Sequence, residues 1–310
     1  MMKNGPAFSG AFSIYGRRPN PVYLYTVDHF IFNGRSFPAG TAVAGPSSRG
    51  IRYGDGVFET MKCLDGRLIL VDEHFARIWK GMETLQFEIP SHFTPDRLKD
   101  EMIKMAEKNG HQKTARIRLT IFRGEGGLYD PVNLLPNYLI ETWPLPIENR
   151  GGNANSINSN GLVLGIYDQV KKSRDILSNL KHNNFLPYVM AAFYAKEQKC
   201  NDAIILNSEG RVCDTTIANI FIIKGGQIYT PALSEGCVAG ITRKVLIQAM
   251  QNAVYPVIEK ELPLSELLEA DELFLTNSIH GIRWVQRIAD KEYDSKITRE
   301  IYSSFNSTIC

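Results

Sequence analysis

What most constrains the fold of this 310-residue chain is an interruption near its middle. Between Pro144 and Asn160 stand two prolines, two consecutive glycines and five asparagines, with almost no apolar side chains. A stretch of that composition makes turns but has nothing to bury, so it reads as a linker. Each flank has a length at which a single hydrophobic core is natural. The reading is therefore an α+β protein of two domains. A small one covers residues 28–145, a linker 146–160, and a larger one 161–310. Residues 1–27 are rich in Gly, Pro, Ser and Tyr without periodicity, and read as a flexible N-terminal extension. Two domains of this kind favour a ligand in the crevice between them.

Composition removes several function classes. Net charge is +2 and no lysine/arginine tract is present, so nucleic acid and membrane surfaces have no electrostatic claim on the chain. No apolar run approaches the ~20 residues of a membrane helix. Lys3 is followed by Gly5, Pro6, Ser9 and Gly10 rather than by the apolar segment of a secretion signal. The five cysteines (63, 200, 213, 237 and 310) are odd in number and lack CxxC spacing. They read as free thiols of a reducing, cytoplasmic protein, with no metal site. Cys213 reads as a buried structural thiol.

Local patterns fill in the halves. His29 to Phe32 followed by Asn33-Gly34 predicts a strand, a tight turn and a second strand. Phe75, Ile78, Met82 and Leu85 have helical spacing. So do Leu98, Met102 and Met105, in a helix opened by Thr94-Pro95 and stopped by Asn109-Gly110. Ala115–Phe122 and Tyr138–Trp143 read as strands. Beyond the linker the pattern predicts strands over 162–167, 203–206 and 272–278, with helices over about 187–198 and 241–253.

Two segments carry the chemistry. Val212-Cys213-Asp214-Thr215-Thr216-Ile217-Ala218-Asn219-Ile220-Phe221 reads as an apolar strand with an acid at its start. Gly240-Ile241-Thr242-Arg243 reads as a tight turn opening a helix, whose free N–H groups and positive dipole end suit a phosphate. An acid able to pair with a ring nitrogen, close to a phosphate cup, points to pyridoxal 5′-phosphate. That cofactor requires a lysine. Lys181, reached through the apolar run Ile176 to Leu180, fits the need, because desolvation favours its neutral, nucleophilic form. Each residue also has a plainer reading. Lys181 reads as a solvated lysine, Asp214 as a turn or cap acid, Asn219 as a backbone-bonding structural residue, and Arg77 as a solvated helix arginine rather than a phosphate clamp.

Taken together these segments, with Arg49-Gly50-Ile51-Arg52-Tyr53-Gly54-Asp55-Gly56-Val57-Phe58-Glu59-Thr60 and His74 to Arg77, resemble the class IV, or fold-type IV, pyridoxal-phosphate enzymes from about His29 to Val285. That family includes branched-chain aminotransferases, D-amino acid aminotransferases and aminodeoxychorismate lyases. The resemblance implies a two-domain α+β fold like that of D-amino acid aminotransferase, with the cofactor at the domain interface, and a homodimer. It implies Lys181 as Schiff-base lysine and proton shuttle, and Asp214 as ring-nitrogen partner. Arg77, Ile241, Thr242 and Ser278 would hold the phosphate, and Val238 would pack on the ring. Tyr53 and Phe58 would line the substrate pocket, with the backbone of Ile279 and His280 receiving the substrate carboxylate. Arg118 matches a branched-chain pocket arginine.

The chain departs from the family pattern at Asp214, where relatives usually carry the longer Glu. Subgroup features conflict. Leu186 stands five residues after the lysine, as in D-amino acid aminotransferases and lyases. Leu128 stands where those two groups carry an arginine. Arg283-Trp284 offers either a second carboxylate binder or a solvent-facing rim. The apolar set Tyr53, Phe58, Leu128 and Leu186 leans toward an aminotransferase exchanging an amino group between a branched-chain or other hydrophobic amino acid and a 2-oxo acid. Thr276-Asn277-Ser278 and the Lys181-x-x-Asn184 spacing lean toward an aminodeoxychorismate lyase. Asp214 and Arg283-Trp284 leave open a cofactor-binding homologue without turnover.

Overall fold

The structure is a computed structural model that describes residues 28–145, 157–251 and 256–309. The expected extension over 1–27, the linker residues 146–156 and the end of the helix expected over 241–253 lie outside the described residues.

The first half builds a sheet of six antiparallel strands in the order β2-β1-β6-β5-β3-β4. Its elements are β1 (His29–Phe32), β2 (Arg35–Pro38), α1 (Arg49–Tyr53), β3 (Gly56–Leu64), β4 (Arg67–Leu68), α2 (Val71–Thr84), α3 (Pro95–Lys108), β5 (Thr114–Arg123) and β6 (Pro136–Pro144). The β1–β2 turn forms because Asn33 and Gly34 both take positive φ, 47° and 79°. Those are the two residue types that tolerate it in a two-residue hairpin. The α3 helix starts where the sequence predicts: Thr94 Oγ1 accepts from the Arg97 N–H at 3.3 Å and Pro95 fills the first turn.

Alternation along β5 decides what each face does. Ala115, Ile117, Leu119 and Ile121 are buried against Phe75, Ile78 and Met82 of α2 and Leu98, Met102 and Met105 of α3. Cutting Met102 to Ala there would cost about 2–5 kcal/mol. The intervening Arg116, Arg118 and Thr120 lie on the other face. In β3, Lys62, Thr60 and Phe58 lie opposite them in register, so one face is helix-covered core and the other is a polar wall.

The second half builds a mixed sheet in the order β12-β11-β10-β13-β14-β7-β8-β9, with β15 on β14. The elements are β7 (Leu162–Lys172), α4 (Leu186–Glu197), β8 (Asp202–Asn207), β9 (Val212–Thr215), β10 (Asn219–Lys224), β11 (Gln227–Pro231), α5 (Ile241–Met250), β12 (Val257–Lys260), α6 (Leu264–Leu268), β13 (Glu272–Asn277), β14 (Gly281–Ile288), β15 (Lys291–Glu292) and α7 (Lys296–Ile309). Phe221 and Phe274 stack at 4.8 Å and are buried with Leu246 and Met250 of α5 and Ile301 of α7. Tyr167 and Ile205 pack instead against Tyr188 and Ala191 of α4.

One sequence expectation is corrected here. Residues 212–221 are not a single strand. β9 ends at Thr215, and its N–H donates to Ala218 O at 2.9 Å, closing a turn before β10 begins. Asp202 holds that turn, accepting from Thr216 N–H at 3.0 Å and Thr216 Oγ1 at 2.6 Å. Polar side chains thus break what apolar content alone made continuous.

Candidate active site

A cavity of about 360 Å³ lies between the two sheets. The polar wall of the first sheet contributes Phe58, Thr60, Arg116 and Arg118, and α2 contributes Arg77. The second half contributes Lys181, Asp214, Val238, Ile241, Thr242, Ser278, Ile279 and His280. Eleven of the twelve site residues expected from sequence thus come to one cavity. The twelfth does not. Tyr53 sits on α1, tilted against Tyr129 at 5.7 Å and beneath Arg49, outside the cavity.

Lys181 is held by its backbone: its carbonyl accepts from the Phe58 N–H at 2.8 Å, stitching the lysine loop to β3. Its ammonium lies 4.6 Å from the Phe58 ring centre and 5.5 Å from that of Phe185. Desolvation, reinforced by the Arg77 charge, pulls its pKa from 10.5 to about 7. Near neutrality a large share of this amine is unprotonated and nucleophilic.

At one end of the cavity a cation is built in. Glu59 lies on the core side of β3, facing α2, and binds Arg77 through two bonds of 2.6 Å and His74 through one of 2.7 Å. Burial opposes the negative charge of Glu59, but Arg77 and His74 outweigh it and hold the pKa at about 2. A third Arg77 N–H reaches Ala239 O at 2.8 Å. Arg77 is therefore not the solvated helix arginine of the plainer reading: it is a clamped cation in the cavity wall. The α5 N-terminus adds the N–H groups of Ile241 and Thr242. Gly240 before it has no room for a side chain, since a Cβ would meet Asn219 Oδ1 at 1.8 Å. The hydroxyls of Thr242 and Thr276 are buried in the wall without a protein partner. A guanidinium, two backbone donors and buried hydroxyls make a donor set that fits a phosphate.

An anion stands at the Asp214 end. Asp214 Oδ2 accepts from Tyr188 OH at 2.8 Å, from Val238 N–H at 2.9 Å and from Lys172 Nζ at 3.2 Å. Oδ1 accepts from Asn219 Nδ2 at 2.9 Å. Asn219 also bonds Val238 O at 2.8 Å, so its expected backbone role is joined by a carboxylate contact. Burial raises the pKa of Asp214, and Lys172 opposes that rise.

The part of the cavity expected to receive substrate differs from expectation at four places. The N–H groups of Ile279 and His280 both donate to Asn277 Oδ1, at 3.0 and 2.8 Å, so they are engaged within their own loop. The side chains of Leu128 and Leu186 are 67% and 71% exposed and do not border the cavity. Arg283 borders a separate small cleft with Asp202, while Trp284 is pinned to Asn158. Asn184 likewise lies outside the cavity, its N–H on His182 Nδ1 at 3.1 Å. Cations dominate what remains. Arg118 lies over the Phe58 ring at 3.7 Å, with Nε on Thr120 Oγ1 at 3.0 Å, and Arg116 stands beside it. Burial lowers the pKa of Arg118 to about 10 and that of His280 to about 4, so near neutrality the arginine is charged and the histidine is not.

Sequence reasoning missed Glu59, His74, Arg116, Tyr188 and Lys172 as participants. Glu59 and His74 lie inside the segments that resemble the family, and their spacing to Arg77 was the available sign. Lys172 and Tyr188 gave none, because register across three strands brings the first to Asp214 and the packing of α4 brings the second.

Comparison with known proteins identifies the family. Over 271 residues the chain is 29% identical to an aminodeoxychorismate lyase of Vibrio harveyi, covering 84% of this chain and 94% of that protein. It is 26% identical over 250 residues to a D-alanine aminotransferase of Bacillus licheniformis, covering 80% and 84%. The crystal structure of a branched-chain aminotransferase from Thermoproteus uzoniensis superposes with a TM-score of 0.79 at 23% identity, covering 91% of this chain and 95% of that one, a likeness of fold. The family model of amino-transferase class IV matches residues 56–288, from the first residue of β3 to the last of β14. That span takes in both walls of the cavity, and the chain belongs to the class IV aminotransferase family with its two-domain α+β fold.

Proposed function

We propose that the protein is a pyridoxal-5′-phosphate-dependent aminotransferase that moves an amino group between an amino acid and a 2-oxo acid. The observation that carries the reading is Lys181, an amine whose pKa is drawn down to about 7, in the wall of a cavity that has a clamped guanidinium at one end and a buried carboxylate at the other. When bound, the cofactor supplies an aldehyde that condenses with amines and a ring that accepts the electron pair left on the substrate Cα. Arg77, the N–H groups of Ile241 and Thr242 and the Thr242 and Ser278 hydroxyls hold its phosphate. Asp214 would accept from its ring nitrogen, and Val238 would pack against the ring. Lys181 Nζ would take the proton from substrate Cα and later give it back, which needs an amine able to take and release a proton near neutral pH.

Phe58, Phe185 and Ile217 support a branched-chain or other hydrophobic amino acid as one substrate. Arg116 and Arg118 suit a second carboxylate, as on an acidic amino donor. Those same two arginines favour a second reading, an aminodeoxychorismate lyase, whose substrate also carries two carboxylates. Stopped-flow spectra decide between them. An aminotransferase converts the bound cofactor from its aldehyde to its amine form on addition of a single amino acid, across a panel of L- and D-forms. A lyase releases pyruvate and 4-aminobenzoate from aminodeoxychorismate with no oxo acid present.

A homodimer completes the proposal. The outer face of α4 leaves Leu186, Val189, Met190 and Phe193 exposed, a patch of the kind that marks an interface. No helix among the described residues is long and apolar enough to cross a membrane, and a cytoplasmic location fits the free thiols of Cys63, Cys200, Cys213 and Cys237. The domain bounds of 28–145 and 161–310 belong to the same reading.

A further inference from the structure

Lys172 is a buried cation that the function above does not use. It ends β7, its side chain is 7% exposed, and it lies outside the cavity, behind Asp214. Sheet register places it there. Tyr167 pairs with Ile205, but the next paired residue of β7 is Lys171, opposite Leu206, so three residues bulge out of the ladder. After the bulge Lys172 pairs with Asn207. Ile205 pairs in turn with Asp214 of β9. Paired residues share a face, and alternate residues return to it. Lys172 and Asp214 therefore lie on the side covered by α4, where Tyr188 stands.

The contacts are asymmetric. Lys172 donates to Tyr188 OH, to Ser178 O at 3.3 Å and to Asp214 Oδ2 at 3.2 Å. Oδ2 also receives Tyr188 OH and Val238 N–H, so it is saturated. Oδ1 has only Asn219 Nδ2, which leaves it a lone pair for a donor in the cavity. We propose that Lys172 is a positioning residue which, with Tyr188, fixes Oδ2 and keeps Asp214 negative, so that the proton shared between Oδ1 and the cofactor's ring nitrogen resides on the nitrogen.

The physical case is a comparison of two states. In a buried site a carboxylate facing a pyridinium is an ion pair, and a carboxylic acid facing a pyridine is neutral. Low dielectric favours the neutral pair. A permanent cation behind the carboxylate reverses that preference by stabilising its charge. The aspartate arm is one methylene shorter than glutamate, so its rotation is readily fixed by donors at its base, and Tyr188 and Val238 supply them.

The inference rests on the cofactor reading above, and the test separates the two. The holoprotein is prepared with pyridoxal phosphate labelled with ¹⁵N in the ring, and the nitrogen chemical shift is read for wild type, Lys172→Met, Lys172→Arg and Tyr188→Phe. The expected wild-type signal is that of a protonated ring nitrogen. Lys172→Met moves it to the unprotonated position, Lys172→Arg restores it, and Tyr188→Phe moves it part of the way. Alongside, kcat of Lys172→Met falls about tenfold or more with KM little changed, because only the electron-accepting step is affected. A wild-type signal at the unprotonated position overturns the role given to Asp214. A protonated wild-type signal that both Lys172→Met and Tyr188→Phe leave in place overturns this inference alone. Tyr188→Phe keeps the test alive should Lys172→Met fail to fold.

Discussion

The two ends of the cavity are built on the same plan with opposite sign. At the α5 end a cation, Arg77, forms part of the wall, and its counter-charge Glu59 sits behind it on the core face of β3. At the other end an anion, Asp214, forms part of the wall, and its counter-charge Lys172 sits behind it at the end of β7. In each pair the residue behind is buried and satisfied by a neighbour besides its partner, His74 for Glu59 and Tyr188 for Lys172. A lone buried charge would shift its pKa and neutralise. Backing each with an opposite charge lets a dry cavity keep one positive and one negative end, which suits a ligand carrying a phosphate and a protonated ring.

The comparison breaks most sharply at the amine between the two ends. Lys181→Ala should lower turnover by at least roughly 10³-fold and abolish the absorbance band of lysine-bound cofactor. Full activity in that variant would remove Lys181 from the chemistry.

Next come the backing residues. Removing one partner of a buried pair costs about 3–5 kcal/mol, so Glu59→Ala should show that loss in denaturant unfolding of the apoprotein, together with weaker binding of pyridoxal phosphate. The pH profiles of the two ends sharpen the contrast. Glu59 has a folded pKa near 2 against an ordinary 4.5. Its contribution is therefore present above pH 4.5 and lost as pH falls toward 2. Lys181, between the ends, adds a climb of the same sign in a higher pH range. Its folded pKa of about 7 lies below the ordinary 10.5. The unfolded chain then binds the extra proton between those values, and apoprotein stability should climb across that interval. Lys181→Met should flatten the climb and leave the acid limb of Glu59 untouched.

A smaller effect tests the substrate end. Arg118→Met should raise KM for dicarboxylate substrates by about tenfold to a hundredfold and leave monocarboxylates nearly unchanged, as expected for loss of a charge-assisted bond of about 1.5–3 kcal/mol. Equal losses for both classes would place the substrate carboxylates elsewhere. The smallest is Thr242→Val, which should weaken cofactor binding by no more than about tenfold, the worth of one hydroxyl contact of about 1 kcal/mol. Isothermal titration of the apoprotein measures it.

The two ends also differ in how much of them the sequence reveals. The Arg77 end was readable because its parts are local: Gly240-Ile241-Thr242 is one turn, and Arg77 lies on a helix marked by Phe75, Ile78 and Met82. The helices α2 and α3 were readable for the same reason, period and caps being short-range properties. At the carboxylate end only Asp214 stood out. Lys172 lies 42 positions from it and Tyr188 lies 26 away; the first arrives through strand pairing and the second through the packing of α4 on the sheet, neither of which a local pattern encodes. The differences from expectation have the same origin. Tyr53 lies within the segment that resembles the family but tilts against Tyr129, and the Ile279 and His280 amides are engaged by Asn277 two and three residues away. The split of 212–221 into two strands depends on Asp202, distant in sequence and adjacent in space.

The bulge in β7 gives the carboxylate end an unusual kind of adjustability. Asp168, Gln169 and Val170 project from the ladder, and Asp168 and Gln169 are exposed. Chain length in this surface segment, rather than the identity of any cavity residue, decides which side chain arrives behind Asp214. One residue added or removed there would turn Lys172 to the opposite side of the sheet and bring a neighbour into its place, with the cavity lining unaltered. The electron demand of the reaction centre could thus be reset by an insertion or deletion at the protein surface, a change that a survey of active-site residues would not register.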